Sequence, residues 1–174
     1  TSGMAEMLKH GLIADAELFD ALVPEALPLS RDLLQRAIEV KVKIVQRDPY
    51  EKGERAKLNM GHTIGHGIEA ASDFALRHGE AIAIGLLAET RLAERIGLAA
   101  PGLSERVATK LRALGLPTSC PGLPEHRIRT LMSSDKKKRA GELTFTLPTD
   151  IGAVEYGVKV EEEFLEEVIS EAVA

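Results

Sequence analysis

Apolar residues recur three and four positions apart along most of this chain, the period of a helix with one buried face. The first run predicts a helix from Ser2, a candidate N-cap, to about Ile13. A second, short helix is expected over Asp15–Val23, stopped by Pro24 and Pro28. Ser30 is placed to cap a third, in which Leu33, Leu34, Ala37, Ile38, Val40, Ile44 and Val45 keep the period to about Gln46. Residues 48–54, D-P-Y-E-K-G-E, read as a turn or loop. The helical rhythm resumes from about Lys57 to Ala71 and again from about Gly79 to Ile96. The latter run is apolar nearly all round in its first half, which predicts a buried central helix. Ser104–Leu114, Glu125–Met132 and Glu161–Val173 give three more. Period two occurs only near the end. There E-L-T-F-T-L-P (142–148) and G-A-V-E-Y-G (152–157) read as two short strands around P-T-D-I-G. No internal repeat or low-complexity segment is visible. The expected fold is mainly α, a multi-helical single domain over residues 1–174 with one small β-hairpin.

Composition sharpens this. The chain is 44% hydrophobic but only 3% aromatic, with no Trp. Ala, Leu, Ile and Val must fill the core, which favours packed helices over aromatic-rich strands. A net charge of -5 gives no sign of a nucleic-acid footprint, which would need a concentrated basic face, and makes a basic-patch nucleic-acid binder a poor alternative. The apolar runs are too short or too interrupted to span a bilayer as helices, and no signal-peptide pattern is present. Cys120 is alone, so no intrachain disulfide can form. The opening T-S-G-M-A-E-M-L-K-H has no initiator Met and begins in helical rhythm, which predicts a domain upstream.

The chain has five histidines, and two of them stand in N-M-G-H-T-I-G-H-G-I-E (59–69) beside three glycines. His is a mediocre helix former, and Gly costs about 1 kcal/mol per helical position relative to Ala. Something other than propensity selects these residues. His62 and His66 are i and i+4 and share a helical face, with Glu69 on the same face seven beyond His62. His78 follows just before the central helix, and Glu6 lies on the first helix with Lys9 and His10 a turn later. Zinc takes imidazole and carboxylate, and a catalytic site uses three protein ligands with one position open. His62, His78 and one carboxylate meet that requirement; His66 is either a third nitrogen ligand or a neighbour. On spacing alone, such a pair is more often helix-surface decoration than a metal site. Gly61 and Gly65, also i and i+4, strip side chains from one stripe, which admits either a ligand or a tightly packed second helix.

A second constellation is cationic. Lys9, Lys41, Arg55 and the D-K-K-K run at 135–138 are scattered in sequence, and Asn59 sits one turn before His62. Brought together, they suit a phosphate or a polyhydroxylated carboxylate. Taken singly, each reads as a solvated charge, and the 135–138 run as a solvated turn.

Five collinear blocks carry a resemblance. They are S-G-M-A-E-M-L-K-H-G-L-I, G-E-R-A-K-L-N-M-G-H-T-I-G-H-G-I-E, H-G-E-A-I-A-I-G, D-K-K-K-R-A-G-E and F-T-L-P-T-D-I-G. In order, and over nearly the whole chain, they resemble 3-dehydroquinate synthase, the second enzyme of the shikimate pathway of aromatic amino acid biosynthesis. Members of that family have an N-terminal α/β domain that binds NAD and a C-terminal helical domain that holds the metal. This chain resembles the C-terminal domain alone; it has no Gly-rich dinucleotide loop of its own. The resemblance implies zinc or cobalt ligands at Glu6, His62 and His78. It implies catalytic and substrate-binding positions at Lys9, Lys41, Arg55, Asn59 and His66, with Lys136 or Lys137 at the substrate phosphate. It implies a cytoplasmic enzyme, a homodimer when complete, whose partners are a sugar-phosphate substrate and its own NAD-binding domain. Gly67 stands where Ala is more usual, and the loop at 48–51 is less acidic than usual; neither is a matched functional position.

The implied reaction converts 3-deoxy-D-arabino-heptulosonate 7-phosphate to 3-dehydroquinate and phosphate, and the fragment by itself is expected to be inactive. The nearest rival is another sugar-phosphate cyclase, making an inosose or valiolone, with the same metal triad. Arg55 and Lys41 favour an acid-bearing substrate. The polyol dehydrogenase branch of the fold is disfavoured by the D-K-K-K-R block and the H-T-x-G-H spacing. A non-catalytic helical metal-binding module is the rival from a different class.

Overall fold

The computed structural model describes residues 2–26, 28–138 and 143–174, with side chains other than those of Ser2 and residues 133–138. Its axis is helix α5 (His78–Arg95), the run whose first half is apolar nearly all round. Two cores share this helix. Ile82, Ala83, Leu86 and Leu87 face one, with α1 (Ser2–Ala14), α2 (Ala16–Ala21), α3 (Arg31–Arg47) and α6 (Leu103–Ala113). Ala81, Ile84, Ala88 and Leu92 face the other, with α4 (His62–Ala71), α7 (Glu125–Lys138), strand β1 (Phe145–Asp150) and α8 (Glu162–Val173). A helix that buries both flanks needs no polar stripe, which accounts for its composition. Each fully buried Leu along it, such as Leu86, contributes about 1.5–3 kcal/mol relative to exposure.

Local signals set the ends. Ser30 caps α3 by accepting the Leu33 amide at 3.2 Å. Asp15 caps α2 through the Leu18 amide at 2.9 Å and also takes a bidentate hydrogen bond from Arg36 of α3, at 2.6 and 2.7 Å. One carboxylate thus joins the α1–α2 corner to α3. Arg36 and the Leu18 amide outweigh the effect of burial and hold the Asp15 carboxyl below its usual range.

The structure departs from the sequence expectation at three boundaries. The histidine helix begins at His62 rather than near Lys57. Residues Glu54–Asn59 form a separate 3-10 helix, and Gly61, at φ +77°, turns the chain between the two. Helix α7 runs on through 135–138, where a turn was expected, because consecutive lysines are good helix formers. Strand β1 runs past Pro148, its expected last residue, to take in Thr149 and Asp150, expected in the turn; β2 spans Ala153–Val158. Among the described residues the sheet has these two antiparallel strands, so Pro148 costs no ladder bond on its outer side.

The hairpin braces the rest. The Gly152 amide donates to the Leu12 carbonyl of α1 at 2.9 Å. Thr146 Oγ1 donates to the Ala56 carbonyl at 2.8 Å, fixing the 3-10 helix that carries Arg55 and Asn59. Among the described residues, no helix is long and apolar enough to cross a membrane.

Candidate metal centre

Three segments meet at one end of α5. Helix α1 is held by buried Met4, Ala5, Met7, Leu8 and Leu12, which leaves Glu6 half-buried on its other face. His62 is the first residue of α4, and His66 follows one turn on. His78 is the first residue of α5. The three imidazoles present nitrogen atoms within 4.8 Å of one another, with ring centroids 5.1–5.8 Å apart.

The outer nitrogens of two rings are held from behind. His62 Nδ1 lies 3.0 Å from the Met60 carbonyl, and His78 Nδ1 lies 3.1 Å from Glu69 Oε2. Both acceptors call for a proton on Nδ1, which leaves each Nε2 lone pair facing inward. Those two Nε2 atoms stand 3.4 and 3.9 Å from Glu6 Oε1. Oε1 is shielded from solvent and lacks a properly oriented hydrogen-bond partner. Ligands around a tetrahedral zinc ion at 2.0–2.2 Å are separated by about 3.4 Å. Two imidazole nitrogens and an orphaned carboxylate oxygen at this spacing fit a divalent cation. Glu69, on the same face as His62, serves here as the outer partner of His78.

The other Glu6 oxygen is engaged. Lys9 Nζ donates to Oε2 at 2.7 Å from a position only 3% exposed. Burial opposes the charge on Glu6, but the neighbouring His62 ring and Lys9 ammonium more than offset it, holding the carboxyl far below the usual range. Burial likewise lowers the affinity of Lys9 for its proton, against the pull of Glu6. Lys41 on α3 is exposed yet close enough to add to the field on Lys9. His10, 7% exposed, has neither ring nitrogen in good hydrogen-bond geometry; the Ala37 carbonyl is near but poorly placed. Burial, then the Lys9 charge, pushes its pKa down to about 4.

The structure therefore brings Glu6, Lys9, Lys41, His62, His66 and His78 together. Arg55 is held by its own loop, donating to the Pro49 carbonyl at 3.2 Å with Glu51 at 3.8 Å. Asn59 closes the 3-10 helix, half-buried, three residues before His62. The side chains of Lys136 and Lys137 lie outside the described residues.

Two organising residues went unnoticed in the sequence. Asp48, at the C-terminus of α3, accepts the amides of Lys52, Gly53 and Arg55 at 2.8–3.0 Å and so shapes the Arg55 loop. Glu89, fully buried in α5, accepts the Gly61 and Ile64 amides at 2.5 and 3.1 Å. Its sequence signal was a lone acid inside A-I-A-I-G-L-L-A-E-T, a stretch expected to be buried. The glycine stripe serves helix packing. A Cβ on Gly85 would stand 2.1 Å from the Gly61 carbonyl, and one on Gly65 would meet Ile82 at 2.9 Å.

Comparison with known proteins bears on this arrangement. Residues 3–138 match the 3-dehydroquinate synthase C-terminal family. The 3-dehydroquinate synthase of Idiomarina loihiensis is 39% identical over 98% of this chain, and that of Synechocystis is 40% identical over 94%. The chain spans about half the length of these relatives, 50% and 48%. Two solved structures superpose on it. One is 2-epi-5-epi-valiolone synthase from Streptomyces hygroscopicus with NAD+ and Zn2+ bound, 28% identical, with a TM-score of 0.83 over 98% of this chain and 50% of that one. The other is 2-deoxy-scyllo-inosose synthase with carbaglucose-6-phosphate, NAD+ and Co2+, 27% identical, with a TM-score of 0.84 over 99% and 52%. By sequence match and by fold, this chain belongs to the 3-dehydroquinate synthase C-terminal family.

Proposed function

We propose that this chain is the metal- and substrate-binding half of a 3-dehydroquinate synthase, which converts 3-deoxy-D-arabino-heptulosonate 7-phosphate to 3-dehydroquinate and phosphate. The observation that carries this reading is the shielded, orphaned Oε1 of Glu6, met by the inward Nε2 atoms of His62 and His78. These three residues would hold Zn2+ or Co2+, and NAD would be bound mainly by an N-terminal α/β domain. When bound, the cation supplies Lewis acidity toward a substrate hydroxyl, and NAD supplies the hydride acceptor.

The remaining roles belong to side chains of this chain. Lys9, poorly solvated and tied to Glu6, orients a substrate hydroxyl. Lys41 adds positive charge on the same side, and Arg55 takes the substrate carboxylate in a bidentate pair. Asn59, His66 and Lys136 or Lys137 hold the phosphate. A tightly held phosphate dianion accepts the proton lost in its own elimination, so no separate carboxylate base is required. His66, an imidazole at the edge of the cluster, relays protons. The complete enzyme is read as a cytoplasmic homodimer, by resemblance to its family.

The test uses the longest open reading frame that contains this chain, supplied with NAD and zinc. Phosphate release and dehydroquinate formation from 3-deoxy-D-arabino-heptulosonate 7-phosphate, and none from glucose 6-phosphate, which lacks the carboxylate, is the expected result. Turnover of glucose 6-phosphate instead would assign the chain to the inosose type. Zinc binding with no turnover of these or of any other sugar phosphate, the seven-carbon sugar phosphates of a valiolone-type cyclase included, would make it a non-catalytic metal module. The 174-residue chain with NAD alone is expected to form no product; measurable dehydroquinate would overturn that expectation.

A further inference from the structure

The described residues of α5 include one wholly buried carboxylate, Glu89, among Leu86, Leu87, Ala88, Leu92 and Ala93. Removing a carboxylate from water is costly unless its oxygens are paired. Here both oxygens are. Gly61 N donates to Oε2 at 2.5 Å, Ile64 N donates to Oε1 at 3.1 Å, and the Thr63 amide also lies against the group.

These are first-turn amides of α4, which have no partner within their own helix. The usual remedy is a Ser, Thr, Asp or Asn side chain at the N-cap. In α4 that position is Gly61, which has no side chain to offer. The cap comes instead from a different helix, 25 and 28 residues away. A local cap would have stabilised α4 equally well; a cap from α5 also fixes α4 against α5. One turn before Glu89, Gly85 lets the two backbones meet at Gly61 and Gly65. The crossing is therefore held at two successive turns, by backbone contact and by the carboxylate. His62 lies between the two amides that Glu89 holds, and His78 begins the helix that carries Glu89. Rotation or slippage of α4 would break one of these hydrogen bonds and move His62 Nε2 away from Glu6 Oε1.

We propose that Glu89 is a positioning residue for the histidine cluster: by capping α4 from within α5, it sets the placement of His62 and His66 relative to His78. The consequence for metal binding rests on the functional reading above; the positioning itself does not.

Two measurements on the 174-residue chain test this, with Glu89→Gln as the first variant. Gln keeps the shape but turns an NH2 toward one of the two amides. The first measurement needs no metal. In NMR spectra of the metal-free chain, Glu89→Gln is expected to shift the ring signals of His62, His66 and His78 and to speed amide exchange at Gly61, Thr63 and Ile64. The His10 and His126 signals and the amides of α6 should stay put. The second is cobalt binding. Glu89→Gln is expected to weaken Co2+ affinity, by at most the roughly 10–100-fold seen when a group bonded directly to a metal ligand is lost, and to change the visible spectrum of the bound ion. Glu89→Asp, which keeps the carboxyl group but withdraws it by one methylene, should act in the same direction and serves if Glu89→Gln does not fold. A variant that melts earlier but keeps the parent's histidine signals, cobalt spectrum and affinity would make Glu89 purely structural and overturn the proposal. A parent chain that binds no cobalt would defeat the metal reading, and the histidine signals alone would then decide on Glu89.

Discussion

Replacing Gly85 with Ala is a one-carbon test of how the site is built. In a helix interior the change should help, since Ala is favoured over Gly by about 1 kcal/mol. At position 85 the new Cβ would stand 2.1 Å from the Gly61 carbonyl oxygen, 2.7 Å from Gly65 N and 2.9 Å from Gly65 Cα. All three are backbone atoms, so no side chain can swing aside. To restore even a 3.0 Å contact, α4 must retreat by about 1 Å. Overpacking of this kind costs about 1–3 kcal/mol, and rigid backbone neighbours place it at the upper end. Subtracting the propensity gain leaves a net loss of about 2 kcal/mol. With a urea m-value of about 2 kcal/mol/M, the unfolding midpoint should fall by about 1 M. The same displacement draws His62 and His66 away from His78, so zinc affinity should fall with stability. Gly3→Ala is the control. It is also in a helix but has nothing within 4 Å of its would-be Cβ, and it should be neutral or stabilising. A Gly85→Ala chain with the parent's midpoint and zinc affinity would refute the close-crossing account.

Three further outcomes are expected. The His10 pKa falls from 6.5 to about 4 on folding, so between those values the unfolded chain binds more protons than the native one. Stability is therefore lost as pH drops through that window, by about 3 kcal/mol relative to a His10→Leu variant, as urea melts at pH 7 and pH 4 would show. The groups acting on His10 are Lys9, Glu6 and Lys41, so equal pH sensitivity in parent and variant would implicate those instead. Asp48→Ala should speed hydrogen exchange at the Lys52, Gly53 and Arg55 amides and weaken carboxylate-bearing substrate analogues, with zinc content unchanged; unchanged exchange would remove Asp48 from the loop's support. His66→Ala should leave metal content intact while lowering turnover of the complete enzyme, and loss of metal would instead make His66 a ligand.

What the sequence revealed depended on how local the physics was. The central helix was legible because a helix buried on two flanks is apolar nearly all round where both flanks are covered, as the first half of 79–96 is. The His62–His66 pair was legible from its i, i+4 spacing. The meeting of Glu6 with His62 and His78 was not, since three helices far apart in sequence must pack before those atoms converge; it came through the resemblance. A glycine reads the same whether it ends one segment or packs inside another. For that reason the sequence does not mark the break at Gly61, and the stripe of Gly61 and Gly65 suits either a ligand or a helix; in the fold Gly85 lies beneath it. Glu89 lies inside a stretch expected to be buried, yet a single acid in sequence carries no mark of the amides it will meet.

Metal content tests the central claim most directly. The 174-residue chain, purified without chelators, and its His62→Ala variant would be compared for bound zinc by atomic absorption. About one zinc per chain in the parent and none in the folded variant is the predicted result for a three-ligand site with one open position. A well-folded parent that takes up no zinc, or a variant that keeps it, would contradict the assignment of Glu6, His62 and His78.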